Sequence, residues 1–588
     1  MAAILGLNAY HGESAACLIV DGKIVAAAEE ERFRRVKHWA GLPTKAIDYC
    51  LHAALLTMRE VEHIAINRKP GINNWRRLGF YLAHSPRPKL IWQQAKTIRT
   101  APSIRDMLEK TYGPELKAKL HRVEHHLAHL ASAFLVSPFQ EAACLSIDGF
   151  GDFASSAMGL GRGDQVKIDS CVYFPHSLGI FYSALTQFLG FTDYGDEERV
   201  MNLSPYGEPN YLDQMREVVR VQSDGTFRLN LKFFRHHTGN VSYNWNDSAP
   251  EVGTLYRKEL VDLLGAPRKP GETLEQKHKD IARSVQTMYE KAFFALLGAL
   301  HKQHPSDYLA LAGGCALNSV ANGKVYRRTS FKRMYVPSAP GDAGGAIGAA
   351  AYVMSRMKKS PPFELETASL GPESSEQEIH ALLDWKKKEI GDVGCTAAFI
   401  GVEEDLLRRT AQAIVDGKIV GWFQGRMEWG PHSLGNRSIL ADPRRADVKQ
   451  LLDTKIRRRE SYRPFAASIL RESVSDWFDQ EDDVPFMTQV FQVRSQKQSF
   501  IPAVMNVDGS ARLHTVQKEA NARYHGLIEH FRELTGIPIV LNTAFRLEEP
   551  VVCYPEEALD FFLSTEMDVL VLGNFWIERT PGMFLGGS

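Results

Sequence analysis

The chain opens on Ala3–Asn8, a run without a charge in which only Gly6 and Asn8 are not apolar. An unbroken apolar run of this length predicts a buried strand rather than a half-exposed one. The turn Tyr10-His-Gly-Glu13 follows, then a second apolar run, Ala15–Val20. Asp21-Gly22 is a two-residue hairpin signal leading into Lys23–Ala28. A related pattern returns further on: Ala143–Ile147 predicts a strand, Asp148-Gly-Phe-Gly-Asp152 a turn, and Ala154–Leu160 the returning strand.

Between and after these hairpins the apolar spacing changes to helical, predicting helices over His125–Val136, Asp280–His301 and Ala346–Met357. Tyr308–Ala312 predicts a strand running into Gly313-Gly314. The apolar pattern weakens from Lys358 to about Val393, where Ser360-Pro-Pro362 and Gly371-Pro-Glu-Ser-Ser375 read as connector. Periodicity resumes at Leu406–Val415 and continues through strands at Ile419–Phe423 and Pro538–Leu541. This organisation divides the chain into a first domain over 1–360, a connector over 361–395 and a second domain over 396–588. Two strand–turn–strand units opening successive α/β halves predict an internal duplication. The actin and sugar-kinase (ASKHA) superfamily, which grips ATP phosphates between duplicated halves, is built in this way.

Bulk properties narrow the function. A chain of 588 residues is too long for one ordinary core. Its 44% hydrophobic and 24% charged content is that of a soluble globular protein. Lys+Arg and Asp+Glu both total 70, so no global field draws in nucleic acid or an anionic membrane. The N-terminus has no charged leader, and no apolar stretch approaches the roughly 20 residues that cross a bilayer. Seven cysteines without a CxxC pair predict reduced thiols and a cytoplasmic location, and argue against a disulfide framework or zinc ribbon.

Several side chains could carry chemistry. His125 and His129 are four apart on a predicted helix and so share a face. Asp148 ends a predicted strand, and Asp342 sits in the Gly-rich turn Gly341–Gly345 before a helix. Two imidazoles and two carboxylates suit Fe(II), Mn or Zn with positions left for a ligand; His-x-x-x-His alone is a weak signal. Gly149 and Gly151, and Gly313, Gly314 and Asn318 at the strand–helix junction Gly313–Asn318, are candidates for close approach to a nucleotide. His11 taken alone reads better as a turn or core histidine than as a catalyst. From Arg426 to Arg463 ten Lys/Arg face five Asp/Glu. A solvated helix face would explain that count, but Arg426, Arg437 and Arg463 fall in turn-like segments, which fits a polyphosphate site better. Few aromatics are spaced for base stacking.

These residues resemble the NodU/CmcH family of carbamoyltransferases over nearly the whole chain. The marks are Ala28-Glu-Glu-Glu-Arg-Phe33 with Lys37-His38, His125-His-x-Ala-His129, Ile147-Asp-Gly-x-Gly151, Ser177-Leu-Gly-x-Phe-Tyr182 and Gly313-Gly-Cys-Ala-Leu-Asn318. They continue with Pro340-Gly-Asp342, Gly425-Arg-Met-Glu428, Gly435-Asn-Arg-Ser-Ile439, Arg463-Pro-Phe-Ala466, Val507-Asp-Gly-Ser-Ala-Arg512 and Leu541-Asn-Thr543.

The resemblance implies an α/β fold: a duplicated actin/sugar-kinase-like N-terminal domain and an α+β YrdC-like C-terminal domain. It implies that the C-terminal domain joins carbamoyl phosphate and ATP into carbamoyladenylate. The N-terminal domain, similar to the transferase that makes threonylcarbamoyladenosine in tRNA, would then pass the carbamoyl group to a hydroxyl of a small metabolite. It further implies that His125, His129, Asp148 and Asp342 bind an iron-type metal and that His11 is catalytic. Arg426, Arg457, Arg459 and Arg463 would surround the phosphates, with Arg437 and Asn542 in the same site. No nucleic acid or membrane partner is expected, and a homodimer is. Departures gather in the C-terminal site. The family usually has Arg-Ala at His432-Ser433, Asn at Asp453, Lys at Arg457, His at Asn506 and Gln at His514, and its NTSFN motif reads Asn542-Thr-Ala544-Phe-Arg546 here. An altered donor, a small-molecule kinase, a tRNA-modifying transferase and a non-catalytic binding protein are the alternatives.

Overall fold

The computed structural model describes residues 2–84, 103–114, 116–238, 241, 243–244, 247–357, 364–456, 465–546 and 549–580. Contacts gather these into two compact units. The first comprises Met1–Glu31, His38–Ala321 and Val325–Leu365; the second comprises Arg32–Lys37, Asn322–Lys324 and Glu366–Ser588.

In the first unit the apolar runs become strands β1 (Ala3–Asn8), β2 (Ala15–Val20) and β3 (Lys23–Glu29), joined by β4 (His63–Ile66) and β5 (Lys119–Arg122) in the order β3-β2-β1-β4-β5. β2 is antiparallel to β1 and β3, while β4 is parallel to β1 and β5. All six residues of β1 are buried, as its continuous apolar pattern requires. The second sheet repeats the plan with β6 (Glu141–Gly151), β7 (Ala154–Arg162), β8 (Gln165–Tyr173), β9 (Tyr308–Ala312) and β10 (Arg333–Tyr335), ordered β8-β7-β6-β9-β10. Its strand directions match the first sheet one for one. The duplication expected from the two hairpins is therefore present as two sheets of identical order and sense.

Small residues bring three elements close together at the centre of this unit. The helix Gly344–Arg356 lies so near β1 that a Cβ on Gly6 would stand 2.0 Å from the Ala346 carbonyl oxygen. The same helix meets His125–Phe134 so closely that a Cβ on Gly348 would stand 1.8 Å from the Ala128 carbonyl oxygen. The Gly- and Ala-rich composition of Gly344–Arg356 is thus a condition of packing. It sets Asp342, just before that helix, beside the first turn of His125–Phe134.

The second unit is built on a nine-stranded mixed sheet of β11 (Cys395–Phe399), β12 (Val420–Phe423), β13 (Arg437–Ala441), β14 (Ala466–Leu470), β15 (Gln489–Gln492), β16 (Ser510–Val516), β17 (Ile539–Ala544), β18 (Val569–Leu572) and β19 (Phe575–Arg579). The order is β11-β19-β18-β12-β13-β17-β14-β16-β15. The stretch read as connector carries two helices, Glu376–Trp385 and Lys387–Asp392. The first is opened by a capping box of Ser375 and Glu378 and buries only Ile379 and Leu383, which explains its weak apolar period. The segment 32–37 packs with this unit: Arg32 donates to the Gly430 carbonyl at 2.7 Å, and Phe33 lies on the cluster Met427–Val551–Cys553.

Candidate active site

Four predicted ligands converge in the first unit. His125 and His129 occupy the first two turns of their helix, which Glu124 caps by accepting the Leu127 N–H at 2.6 Å. Their Nε2 atoms are 3.0 Å apart. Asp148 Oδ2 lies 3.0 Å from His125 Nε2 and 3.3 Å from His129 Nε2. Asp342 Oδ1 lies 3.5 and 3.6 Å from the same two nitrogens. All four ligand atoms fall within 4.8 Å of one another.

This set fits a divalent ion. Donors held about 2.0–2.2 Å from one centre stand roughly 3–4 Å from each other. Among the described residues, Asp342 Oδ1 is buried with no hydrogen-bond partner, an orphan that an ion would satisfy. The imidazoles are sealed at 1% and 0% exposure while the carboxylates remain 15–16% exposed, so the acidic edge is where a further ligand would enter.

Electrostatics agree with one shared centre. Burial alone would raise the Asp148 carboxyl, but His125 and His129 hold it well below the usual carboxylate range. Burial would lower His129, yet Asp148 and Asp342 push it up to about 10. His126, between the pair in sequence, points away from them. Its Nδ1 is 2.8 Å from Ser146 Oγ, and burial with the two neighbouring imidazoles lowers it to about 3. His126 is therefore a neutral packing residue.

Backbone and secondary contacts fix these side chains. Asp148 Oδ1 accepts the Gly314 N–H at 3.2 Å, and Ser177 Oγ donates to the Asp148 carbonyl at 3.0 Å. Gly313 has φ +89°, and a Cβ there would stand 2.2 Å from the Ile147 carbonyl oxygen. The Gly313-Gly314 pair thus clasps the end of β6 and orients Asp148. Asp152 Oδ2 accepts the N–H groups of His125 (3.0 Å) and Lys69 (2.8 Å), a holding role that sequence reading missed although Asp152 closes the Asp148-Gly-Phe-Gly-Asp152 motif.

His11 stands at the edge of the cluster, its Nδ1 3.7 Å from Asp342 Oδ2 and its ring centroid 5.6 Å from that of His125. Asn8 fixes this turn by donating to the Gly12 and Glu13 carbonyls at 3.0 and 2.9 Å, and Asn67 bridges Asn8 Oδ1 to the Asp342 carbonyl. Two further groups were missed. Glu13 Oε1 lies 3.3 Å from His38 Nδ1, and His38 meets Tyr194 edge-on at 5.3 Å. Tyr10, Glu13 and His38 all have positive φ, a conformation that costs a non-glycine residue roughly 1–3 kcal/mol and gathers at functional sites.

Three sequence expectations are corrected here. The turn expected over Asp148–Asp152 is Asp152-Phe153 alone: Asp148–Phe150 bulge out of β6, and Gly151 pairs again with Ala154. Gly151 is small because a Cβ would stand 2.0 Å from His125 Cγ. Asn318 is not free for a nucleotide, since its amide exchanges hydrogen bonds with Gln286 and accepts the Ala321 N–H at 3.0 Å.

The third correction lies in the second unit. Arg437 is fully buried and cannot grip phosphate. Its guanidinium donates to the carbonyls of Gln424, Asn436, Pro372 and Gly425 at 2.7–3.1 Å and lies 3.6 Å over the Phe423 ring. Arg426 donates to the Leu370 and Gly371 carbonyls at 2.7 and 3.2 Å. Arg457, Arg459 and Arg463 lie outside the described residues. Asn542 Nδ2 donates to the Ser433 carbonyl (3.0 Å) and Ser468 Oγ (3.1 Å), and Ser468 in turn meets His514 Nδ1 at 2.9 Å. Two departures from the family pattern, Ser433 and His514, thus meet around Asn542.

His514 gives a pH prediction. Burial, with His432 nearby, lowers it to about 3, while an unfolded imidazole titrates near 6.5. The unfolded state therefore binds the extra proton in between, and stability present above pH 6.5 falls as pH drops toward 3. Unfolding free energies of the full chain from urea titration at pH 7 and pH 4.5 are expected to differ by about 2–3 kcal/mol more in the wild type than in His514→Gln. Equal differences would contradict this.

The family model described as carbamoyltransferase N-terminus matches residues 3–351, and that of the carbamoyltransferase C-terminus matches 411–579. An uncharacterized protein of Synechocystis sp. is 39% identical, covering 99% of this chain and 97% of its own. Nodulation protein NolNO of Sinorhizobium fredii is 35% identical over 97% of this chain and 80% of its own, and nodulation protein NolO of Bradyrhizobium diazoefficiens 34% over 78% and 79%. With both of its units matched in order, the chain belongs to the carbamoyltransferase family.

Proposed function

We propose that this carbamoyltransferase is ATP-dependent and works in two steps. Carbamoyl phosphate, ATP and water give carbamoyladenylate, inorganic phosphate and pyrophosphate in the second unit; the carbamoyl group then passes to a hydroxyl of a small metabolite in the first, releasing AMP. The observation that carries the reading is the cluster His125–His129–Asp148–Asp342 with His11 at its open edge.

A divalent ion, proposed as Fe(II), would supply a positive centre for the adenylate's oxygens and the charge that develops on the leaving phosphate. The chain's own residues do the rest. The acidic edge faces the incoming ligand, and His11, close to Asp342, is placed to take the proton of the acceptor hydroxyl as it attacks the carbamoyl carbon. Asp342 steadies the imidazolium formed in that transfer. Gly313-Gly314 keep Asp148 fixed, so the site needs no rearrangement as charge develops.

The experiment has two readings: pyrophosphate release from ATP with carbamoyl phosphate, and mass spectrometry of hydroxylated acceptors for the added carbamoyl mass. Release together with a carbamoylated product supports both steps. Transfer to an acceptor without pyrophosphate release would replace the donor, and a phosphorylated acceptor would favour a kinase.

A further inference from the structure

Behind the turn that holds Asp148 lies a group of buried amides and phenols that takes no part in the proposed chemistry. Gln286 sits on the helix Gln276–Gln303 and is 1% exposed; Asn318 closes the short 3-10 turn that Gly313 opens. Their side chains exchange two hydrogen bonds. Gln286 Nε2 donates to Asn318 Oδ1 at 3.0 Å, and Asn318 Nδ2 donates to Gln286 Oε1 at 2.9 Å. Gln286 Nε2 also donates to Glu290 Oε1 at 3.1 Å, and its Oε1 accepts the Tyr182 hydroxyl at 2.8 Å. A primary amide has two N–H donors and two acceptor positions, so Gln286 uses all of them. Asn318 Oδ1 takes a second bond from the Ala321 N–H at 3.0 Å, and Tyr289 donates to the Cys315 carbonyl at 3.1 Å. A buried network satisfied to this degree holds its members rigidly.

The turn so held meets the segments of both carboxylates in the cluster. The Gly314 N–H donates to Asp148 Oδ1 at 3.2 Å. The Gly313 N–H donates at 2.8 Å to the carbonyl of Pro340, which stands in the Pro340-Gly-Asp342 segment. Inside the turn the Ala316 N–H donates to the Gly313 carbonyl at 2.9 Å, and the Asn318 N–H to the Cys315 carbonyl at 3.1 Å. An unbroken run of hydrogen bonds thus leads from Gln286 through Asn318 and the turn to Asp148 on one side and to Pro340 on the other. With Oδ1 engaged by Gly314, Asp148 presents Oδ2 to His125 and His129 at 3.0 and 3.3 Å. Hydrogen bonds behind a ligand fix its orientation, and losing one typically weakens metal binding by about 10- to 100-fold.

We infer that Gln286 and Asn318 are positioning residues: their amide pair sets the turn Gly313–Asn318, and through Gly314 and Gly313 that turn fixes Asp148 and Asp342 relative to each other. The inference rests on the proposed reading of the cluster as a metal centre for its consequence, whereas the setting of the turn stands apart from it.

Full-length Gln286→Met and Asn318→Ala test this against the wild type and against Leu296→Ala. Leu296 is fully buried on the same helix as Gln286, about 15 Å further along its axis, so its truncation reports what lost stability does alone. In the metal-free chain, amide exchange of a peptide containing Gly313–Asn318 is expected to quicken in Gln286→Met and Asn318→Ala by about tenfold or more beyond the change in Leu296→Ala. In titration with Co(II), the dissociation constant is expected to rise by about 10- to 100-fold in the same two variants, with a shifted visible absorption band. Leu296→Ala is expected to keep the wild-type affinity and band. Exchange in Gln286→Met and Asn318→Ala no faster than in Leu296→Ala overturns the inference, and so does Co(II) binding at wild-type strength with an unshifted band. If the wild type itself takes up no Co(II), the metal reading fails, and the exchange rates alone judge the turn.

Discussion

His129→Ala is expected to abolish stoichiometric metal binding and to slow carbamoyl transfer by on the order of a thousandfold or more. Two causes act together. One of the two nitrogen donors disappears, and with it the cationic partner that keeps Asp148 and Asp342 charged side by side. With only His125 between them, one of the two carboxyls is expected to take up a proton, as close acids do, and so leave the donor set too weak to hold an ion. The proposed two-step reading assigns pyrophosphate release from ATP and carbamoyl phosphate to the other unit, so that release is expected to persist at the wild-type rate. Metal content after reconstitution, read alongside both rates, checks this. A variant that keeps full metal content and full transfer would contradict it. Gly151→Ala approaches the same defect from the other side, because the added Cβ would stand 2.0 Å from His125 Cγ and must move that ring.

Arg437→Met is expected to destabilise the second unit by about 3–5 kcal/mol. The buried guanidinium donates to four carbonyls through its two terminal nitrogens. Once it is removed, those carbonyls stay buried without donors, at roughly 1–3 kcal/mol for each one left unsatisfied. Burial lowers its pKa to about 10, so it remains charged at neutral pH, and Glu428, which accepts the N–H groups of Leu434, Asn436 and Arg437 at 2.7–3.0 Å, is the nearby carboxylate. Arg437→Lys keeps the charge but not the fork, so an intermediate loss is expected. Thermal or urea unfolding reads the effect. A phosphate-binding role would show the opposite signature: an unchanged unfolding midpoint with a raised KM for ATP.

The contrast between these two sites shows what the chain discloses by itself. Apolar runs at β1, β2 and β6 are legible because burial on both faces leaves no alternation to misread. The spacing of His125 and His129 is legible because a helix converts four residues into one face. That the two hairpins open halves of the same strand order follows from the same runs. Charge counting, by contrast, cannot separate Arg437, matched by backbone carbonyls, from an arginine that faces a ligand; both are cations beside turns. Asp148–Asp152 reads as one turn because glycine is the common signal for one, whereas the strand bulges at Asp148–Phe150 and pairs again at Gly151, which is small to admit an imidazole brought by a distant helix. The helices at 376–392 bury too few side chains to impose a period. The packing of residues 32–37 with the second unit is a contact across some 400 positions of chain, which no local pattern reports.

One experiment bears most directly on the central claim, that a single cation is held by His125, His129, Asp148 and Asp342. The protein is reconstituted anaerobically with Fe(II), and its diffraction is recorded on both sides of the iron absorption edge. The account predicts one anomalous peak about 2.0–2.2 Å from His125 Nε2, His129 Nε2 and a carboxylate oxygen of each aspartate. An iron peak elsewhere, or none at these four side chains in fully loaded protein, would contradict it.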